Sequence, residues 1–285
     1  MELFFDCIPC MLKQALEAAR KTTSDVEIHD KVVCETINLM TNYKKYRNSP
    51  DLAREIHRIV KEQTGIKDPY SEIKEKDLEA AKIVYPYLKD FIQSKENSLY
   101  WALKIAATGN NIDAAVYSDI DVKKCIEKEL EKEFSICDID IMEKKLQNAS
   151  NILVIGDNTG ETIFDKVMIE SFPNIHITYG VRSEPIINDV TEKDAVASGL
   201  DQVSKIVSTG CSAPGAILED CSKEFIDIYN KSDIIISKGQ GNYEALSEEK
   251  GNMFFLLKAK CPMISRKLNV NLNEYIFKYG GAKQS

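Results

Sequence analysis

Oxygen-donor side chains directly follow a run of apolar residues near the middle of the chain. The run is Ile152–Ile155, and the next residues, 156–161, read Gly-Asp-Asn-Thr-Gly-Glu. Four apolar residues, three of them β-branched, predict a strand that is covered on both faces. Asp157 and Asn158 then offer a carboxylate and an amide at the strand end, which suits a hard divalent cation that prefers oxygen ligands. The same two residues are also typical of a plain turn that caps the following helix.

A third oxygen ligand follows the next predicted strand, Ile175–Tyr179. Asp189 comes between that strand and a stretch with helical spacing, and taken alone it is more typical of a helix cap. Because ligands bind outside the carboxyl ends of the strands in open α/β sheets, Asp157, Asn158 and Asp189 can converge on one cation. Water and a phosphate would fill the remaining coordination positions.

A lysine ends another predicted strand. Ile234–Ser237 runs into Lys238 and Gly239, within Ser-Lys-Gly-Gln-Gly-Asn at residues 237–242. A lysine in this position can neutralise a phosphate, and the glycines let the backbone approach an anion closely. The stretch lacks the spacing of a Walker A phosphate loop. The structural alternative is a glycine-rich loop with a solvated lysine.

A polar segment follows an apolar helix in the first half of the chain. Residues 108–113 read Thr-Gly-Asn-Asn-Ile-Asp, so Asn110, Asn111 and Asp113 could reach a substrate across a cleft. As an isolated motif, this segment is more typical of a helix end with glycine just after the last turn.

Two cysteines in a CxxC pattern, Cys7 and Cys10, lie close to the start of the chain. Such a pair is typical of half a zinc site or of a redox couple. A zinc site needs two further ligands, for which Cys34, Cys261 or His57 are candidates, because the sequence has no second CxxC and no HxxxH. Structural packing of the two thiols at a helix start is the third interpretation.

These side chains need a sheet that brings its strand ends together. From residue 146 onward, short β-branched runs alternate with helical stretches, which predicts a parallel sheet with crossover helices. Residues 1–145 have almost entirely helical spacing. We therefore expect an α/β protein with a helical region over residues 1–145 packed on an α/β domain over residues 146–285. The predicted strands are Ile152–Ile155, Ile175–Tyr179, Lys205–Ser208, Ile234–Ser237 and Met253–Leu257.

Composition limits the classes of function. The 285 residues include 44% hydrophobic and 29% charged residues, an ordinary balance for a globular protein. A net charge of -8 argues against a nucleic-acid partner, which usually selects a basic surface. No apolar run is long enough to span a membrane, and no secretory signal is recognisable, so we expect a cytoplasmic protein whose eight cysteines do not form a disulfide framework. The sequence predicts no particular oligomeric state.

The motifs together resemble the damage-control phosphatases, also known as domain-of-unknown-function 89. They occur in the family's order along nearly the whole chain. The opening Asp-Cys-Ile-Pro-Cys at residues 6–10 resembles the small stand-alone archaeal and prokaryotic members. The matching segments are residues 6–10, 109–113, 156–161, 188–191 and 237–242.

The resemblance implies a metal-dependent phosphatase that acts on small phosphorylated metabolites, such as sugar phosphates, nucleotides or damaged phosphometabolites. It also implies a helical N-terminal region on a Rossmann-like three-layer α/β/α core with a mostly parallel sheet. A divalent Co, Ni, Mn or Mg ion would be held by Asp157, Asn158 and Asp189. The phosphate-binding lysine would be Lys238. The further candidates near the substrate are Glu161, Gly239, Asn110, Asn111, Asp113 and Arg182.

A hydrolytic mechanism follows from this resemblance. The metal would polarise the phosphoryl oxygen and orient a water, while Lys238 offsets charge on the transferring group. Glu161 or Asp157 would orient or deprotonate the water, and a covalent aspartyl-phosphate at Asp157 is an alternative route. Two other functions compete with catalysis. One is a protein that binds metal and phospholigand without turnover, and the other is a zinc or redox protein that uses Cys7 and Cys10.

Overall fold

Seven strands form one mixed, mostly parallel sheet in the computed structural model, which describes residues 1–109, 119–172 and 174–281. The strand order is β1-β7-β6-β5-β2-β3-β4. Strands β2 to β6 run parallel, whereas β7 pairs antiparallel with β6 and β1 pairs parallel with β7. The strands are β1 (Phe134–Cys137), β2 (Asn151–Ile155), β3 (His176–Val181), β4 (Lys205–Ser208), β5 (Ile234–Lys238), β6 (Met253–Lys258) and β7 (Tyr275–Tyr279).

Helices precede the sheet and alternate with its strands. They are α1 (Cys7–Thr22), α2 (Val26–Met40), α3 (Ser49–Thr64), α4 (Ser71–Gln93), α5 (Ser98–Thr108), α6 (Asp119–Leu130), α7 (Ile139–Leu146), α8 (Thr162–Ile169), α9 (Glu192–Ala197), α10 (Lys223–Lys231), α11 (Gly239–Leu246) and α12 (Pro262–Leu268). Short 3-10 turns lie at Tyr43–Lys45, Thr159–Glu161, Leu200–Gln202 and Leu218–Asp220. Within the described ranges, no helix combines the length and apolarity that crossing a bilayer requires.

Side chains of β2 point alternately to the two faces of the sheet, and helices cover both faces, which gives three layers. Ile152 and Val154 pack with α4, α5 and α8 on one face, while Leu153 and Ile155 pack with α10, α11 and α12 on the other. All four side chains are buried, as expected for a parallel strand that is covered on both sides. The structure thus confirms the predicted α/β class and the mostly parallel sheet.

The helices before the sheet form two groups. Helices α1, α2 and α3 share a separate apolar core, to which Ala15, Val32 and Ile56 contribute fully buried side chains. In contrast, α4, α5 and α6 contribute to the core on one face of the sheet. The division of the chain at residue 145 stays a prediction, and the strand β1 lies before that point.

The five predicted strands are β2 to β6, whereas β1 and β7 were not predicted. Strand β1 has four residues that alternate between half-buried and exposed, so it lacks a continuous apolar run. The segment after Lys238, for which no helix was predicted, is the helix α11, which begins at Gly239.

The strand order contains one reversal that matters for binding. The chain proceeds from β2 outward to β3 and β4, and then returns to place β5 on the other side of β2. Crossovers from β2 and β5 therefore leave in opposite directions, which opens a crevice at the carboxyl ends of these two strands. The residues that follow β2 and end β5 are the ones for which a phosphate site was predicted.

Candidate active site

The loop after β2 is tied to the loop after β3 by backbone hydrogen bonds. The amide of Val190 donates to the carbonyl of Asp157 at 2.8 Å, and the amide of Thr159 donates to the carbonyl of Asn188 at 2.9 Å. Asn158 and Asp189 form an isolated antiparallel bridge between the two loops. This pairing brings the three predicted metal ligands side by side.

Asp157, Asn158 and Asp189 line one cavity of about 320 Å³ at the crevice between β2 and β5. The structure therefore brings together the three side chains that the sequence placed on two separate loops. Their role as ligands stays a prediction. No group of three or more His, Cys, Asp or Glu side chains within the described ranges has metal-binding geometry, and the proposed set contains only two carboxylates and an amide.

The carboxylate of Asp157 is buried close to other acids. Burial raises its pKa well above the ordinary value, and the charges of Glu161 and Asp189 raise it further. No Lys or Arg of the described residues forms a salt bridge with Asp157. A divalent cation in the cavity would offset this excess of negative charge, so the electrostatics fit a metal.

Gly239 allows this carboxylate to sit against the start of α11. Its φ is +79°, and a Cβ at this position would lie 1.9 Å from Oδ2 of Asp157. Both the left-handed backbone and the close approach require glycine. The glycine predicted to let an anion approach the backbone thus lies against a carboxylate of the protein itself.

Lys238 lies behind the cavity in a buried ion cluster. Its Nζ donates to Oε2 of Glu161 at 2.7 Å and to Oδ1 of Asp165 at 2.6 Å. Tyr179 donates its hydroxyl to Oδ2 of Asp165 at 2.7 Å. Burial opposes the charge of Lys238, but the two carboxylates outweigh burial and raise the pKa of the lysine. The charge of Lys238 is thus balanced by carboxylates of the protein itself, and its phosphate-binding role stays a prediction.

Arg182 and Asn242 hold the strand ends in place. The fully buried Arg182 donates from Nε to Oδ2 of Asp189 at 2.7 Å and from Nη2 to Oδ1 of Asn242 at 3.1 Å. Asn242 donates in turn to the carbonyls of Gly156 and Lys238, at 3.0 and 2.7 Å. These bonds connect the ends of β2, β3 and β5. Arg182 acts on Asp189 directly, and a contact between Arg182 and substrate stays a prediction.

The CxxC pair faces the same cavity. Cys7 and Cys10 lie in the first turn of α1, and Cys261 lies across from them just before α12. Burial raises the pKa of the Cys7 and Cys10 thiols, which favours the protonated form. Metal binding or redox chemistry at this pair stays a prediction. Asn110, Asn111 and Asp113 fall outside the described residues.

Several polar residues near the cavity were missed. Asp165 lies one helical turn after Glu161, and Lys258 ends a strand that was predicted, so both had a recognisable signal in their spacing. Glu244 lines the cavity from α11, and burial raises its pKa to about 7. It could not be placed because no helix was predicted for α11. Lys260, also in the cavity wall, follows β6 by two residues.

Known proteins resemble this chain over almost its entire length. The damage-control phosphatase ARMT1-like domain matches residues 3–276. A damage-control phosphatase of Pyrococcus horikoshii is 34% identical over 280 residues, which cover 95% of each chain. A damage-control phosphatase of Archaeoglobus fulgidus is 28% identical over 281 residues, covering 95% of this chain and 97% of the relative.

A solved structure supports the same relationship. The crystal structure of a DUF89 family protein from Pyrococcus horikoshii matches with a TM-score of 0.91 and 33% sequence identity. The match covers 98% of this chain and 99% of that protein. The family predicted from five short motifs is therefore confirmed, and the chain belongs to the damage-control phosphatase family.

Proposed function

We propose that this protein is a metal-dependent phosphatase that hydrolyses small phosphorylated metabolites in the cavity between β2 and β5. Membership in the damage-control phosphatase family supports the class of reaction. The observation that carries the proposal is the position of Asp157, Asn158 and Asp189. These residues come from two different loops and line one cavity at the reversal of the strand order.

The donor set fits a hard divalent cation. Nδ2 of Asn158 donates to Oε1 of Glu161 at 2.9 Å, which turns the amide oxygen of Asn158 away from that carboxylate. Asp189 uses Oδ2 for Arg182, so its other oxygen is the one that a cation would engage. Oxygen donors of this kind suit Mg or Mn. Co and Ni are softer, and their inclusion rests on the family resemblance.

A divalent cation bound here supplies Lewis-acid polarisation of the phosphoryl group and an activated water. The chain's own residues prepare the site for that chemistry. Glu161 holds the amide of Asn158 on one carboxylate oxygen and Lys238 on the other, so it is a positioning residue as well as a candidate base. The carboxylates of Asp165 and Glu161 raise the pKa of the buried Lys238 and so favour its charged form.

Lys260 is the residue placed to bind the substrate phosphate. Its side chain lies in the cavity wall, where burial lowers its pKa and the negative charges of Glu161 and Asp157 oppose that shift. Lys258 lines the same wall, and its Nζ lies 3.0 Å from Oε2 of Glu129. With a cation held by Asp157, Asn158 and Asp189, a phosphate between that cation and Lys260 would meet positive charge on both sides.

Phosphate release tests the proposal. The protein is stripped of metal with a chelator and assayed with p-nitrophenyl phosphate, with and without added Mg, Mn, Co or Ni. We expect release only with added metal, and its loss in Asp157→Ala. Asp227→Ala, which removes an exposed carboxylate of α10, is the matched control and retains wild-type activity.

Metal-independent hydrolysis would contradict the role of the cation, and full activity of Asp157→Ala would contradict the assignment of the ligands. Tight binding of Mn without turnover of any phosphate ester would favour a binding protein instead. The Cys7→Ser variant distinguishes the phosphatase from a zinc or redox protein that uses Cys7 and Cys10. The proposed chemistry does not use the Cys7 thiol, so we expect this variant to retain metal-dependent phosphate release.

A further inference from the structure

The loop between β4 and α10 is closed at its base by a backbone contact. The amide of Ser222 donates to the carbonyl of Thr209 at 2.8 Å. Gly210 lies against the same point, because a Cβ on it would approach the backbone nitrogen of Ser222 to 2.6 Å. Cys211 and Cys221 are the next residues inward from this closed base, one on each side. The fold thus brings two cysteines from opposite ends of the loop together.

The two cysteine side chains contact each other inside the loop. Cys221 packs against the small apolar cluster to which Cys211 belongs, and the two thiols are hydrogen-bonded to each other. Cys211 is only 1% exposed, whereas Cys221 is half-buried, and both are reduced. A reagent in solution can therefore reach the sulfur of Cys221, while the sulfur of Cys211 lies behind it.

The pair shares a single proton near neutral pH. The hydrogen bond from Cys221 lowers the pKa of Cys211 to about 6, although burial opposes this shift, and the positive charge of Arg182 lowers it further. The same hydrogen bond raises the pKa of Cys221. A thiolate in contact with a second thiol is the arrangement that intramolecular thiol–disulfide exchange requires.

We propose that Cys211 and Cys221 form a redox-active dithiol, which a low-molecular-weight disulfide such as glutathione disulfide converts into an intramolecular disulfide. The closed base of the loop holds the two residues so that the bond can form without a large movement of the backbone. The reaction uses neither metal nor phosphate, so the inference does not rest on the proposed phosphatase function.

Two exchange steps balance the reaction. The shared proton first moves to the sulfur of Cys211, and the thiolate of Cys221 attacks glutathione disulfide, which releases one glutathione thiolate and leaves a mixed disulfide on Cys221. The released thiolate then takes the proton from Cys211, whose thiolate attacks the sulfur of Cys221 and displaces the second glutathione as a thiolate. The dithiol loses two electrons, and these reduce glutathione disulfide to two molecules of glutathione.

The disulfide would close a loop that connects the helical bundle to the sheet. Asp220 in this loop contacts Arg47 and Arg54, and the amide of Ala216 donates to Oδ1 of Asn242 at 2.9 Å. A covalent ring of about ten residues restricts the unfolded chain. We therefore expect the Tm of the oxidised protein to exceed that of the reduced protein by about 5 °C.

Peptide mapping after treatment with glutathione disulfide tests the dithiol. The folded chain is oxidised at neutral pH, its remaining thiols are alkylated, and the denatured protein is cut after glutamate. Because Glu219 lies between the two cysteines, the peptides that carry them separate unless a disulfide joins them. By mass spectrometry we expect the linked pair of peptides, and we expect dithiothreitol to separate it.

Single substitutions assign the two roles. In Cys221→Ser we expect the buried Cys211 to remain a free thiol, and in Cys211→Ser we expect Cys221 to stop at the mixed disulfide with one glutathione. Neither variant should show the rise in Tm on oxidation. Cys137→Ser removes an exposed cysteine of β1 and is the matched control, which should form the linked peptides and show the same rise in Tm as the wild type.

The contrary outcomes are equally specific. Glutathione on the exposed Cys34 without any linked peptides from the loop would overturn the dithiol. Modification of Cys211 in the Cys221→Ser variant would contradict the order of the two steps, and a disulfide that leaves the Tm unchanged would contradict its stabilising effect. Failure of metal-dependent phosphate release would count against the proposed function alone.

Discussion

The carboxylate of Asp157 can pack against the start of α11 only because residue 239 is a glycine. Gly239 has a φ of +79°, and its Cα faces Oδ2 of Asp157 so closely that no side chain fits between them. Gly65 has a similar φ of +71° at the end of α3, but open space surrounds it. These two glycines separate the cost of the backbone conformation from the cost of the close contact.

Gly239→Ala should therefore do more damage than Gly65→Ala. For Gly65→Ala we expect a loss of about 1 kcal/mol of unfolding free energy, from left-handed backbone strain alone. For Gly239→Ala we expect about 2 to 4 kcal/mol and weaker Mn binding, because the new Cβ displaces the carboxylate. Urea unfolding measures the stability of the two variants, and Mn titration measures their metal binding. Equal effects of the two substitutions would show that the contact with Asp157 is unimportant.

The residues at strand ends could be predicted, whereas those on helices could not. Asp157, Asn158 and Lys238 follow or end apolar runs, so the sheet geometry places them without further knowledge. Glu244 depends on the register of α11, which has no strong apolar stripe and opens with two glycines among its first three residues. The burial of Lys238 was not predictable either, because its two acidic partners lie on another element.

At the scale of elements, α3 carries an unusual group in the core of the α1–α3 bundle. His57 is almost fully buried, and its ring lies 6.0 Å from that of Tyr70. Its Nε2 has no hydrogen-bond partner among the described residues. Burial, together with the charge of Lys61, lowers the pKa of His57 to about 4. The buried imidazole of His57 is therefore neutral at neutral pH.

The stability of the protein should fall as His57 is forced to take up a proton. The unfolded chain binds this proton near the ordinary pKa of about 6.5, and the folded chain only near 4, so stability is lost as the pH falls between these values. At pH 4.5 we expect His57 to lower the free energy of unfolding by about 2 kcal/mol relative to pH 7.5. Urea unfolding of the wild type and of His57→Phe at both pH values measures it.

The His57→Phe variant should lose correspondingly less stability on acidification. His176→Gln changes an exposed histidine and should follow the wild type. A His57→Phe variant with the same pH dependence as the wild type would show that this imidazole does not limit stability in acid.

Most of the strands were predicted from a continuous apolar pattern. Four of the five parallel strands have runs of buried, mostly β-branched or aromatic residues, and β4 has only Val207 buried, but its Ile-Val pair was still found. Strand β1 alternates half-buried and exposed residues, so it lacks the continuous apolar run of a parallel strand. Strand β7 has such a run in Tyr275, Ile276 and Phe277, and it was missed although the pattern was present.

At the scale of the whole molecule, the helical bundle closes one side of the crevice at the strand ends. Arg47 and Arg54 both contact Asp220, in the 3-10 turn that follows β4, and Lys61 donates to the carbonyl of Pro185 at 2.5 Å. These contacts connect the bundle to the loops after β3 and β4. The cavity then lies between the strand ends on one side and α1 and α3 on the other.

The pattern of strands and helices predicted this architecture only in part. Alternating strands and helices favour a parallel sheet, but they do not specify that β5 returns beside β2 instead of extending the sheet beyond β4. The strand order depends on which apolar surfaces match in three dimensions. The family resemblance supplied the Rossmann-like core that the local pattern left open.

Anomalous diffraction from crystals grown with Mn tests the central claim most directly, because it locates the cation without reference to turnover. The account predicts one strong peak in the cavity, in contact with oxygens of Asp157, Asn158 and Asp189. A peak at Cys7, Cys10 and Cys261, with none between the three oxygen donors, would contradict it.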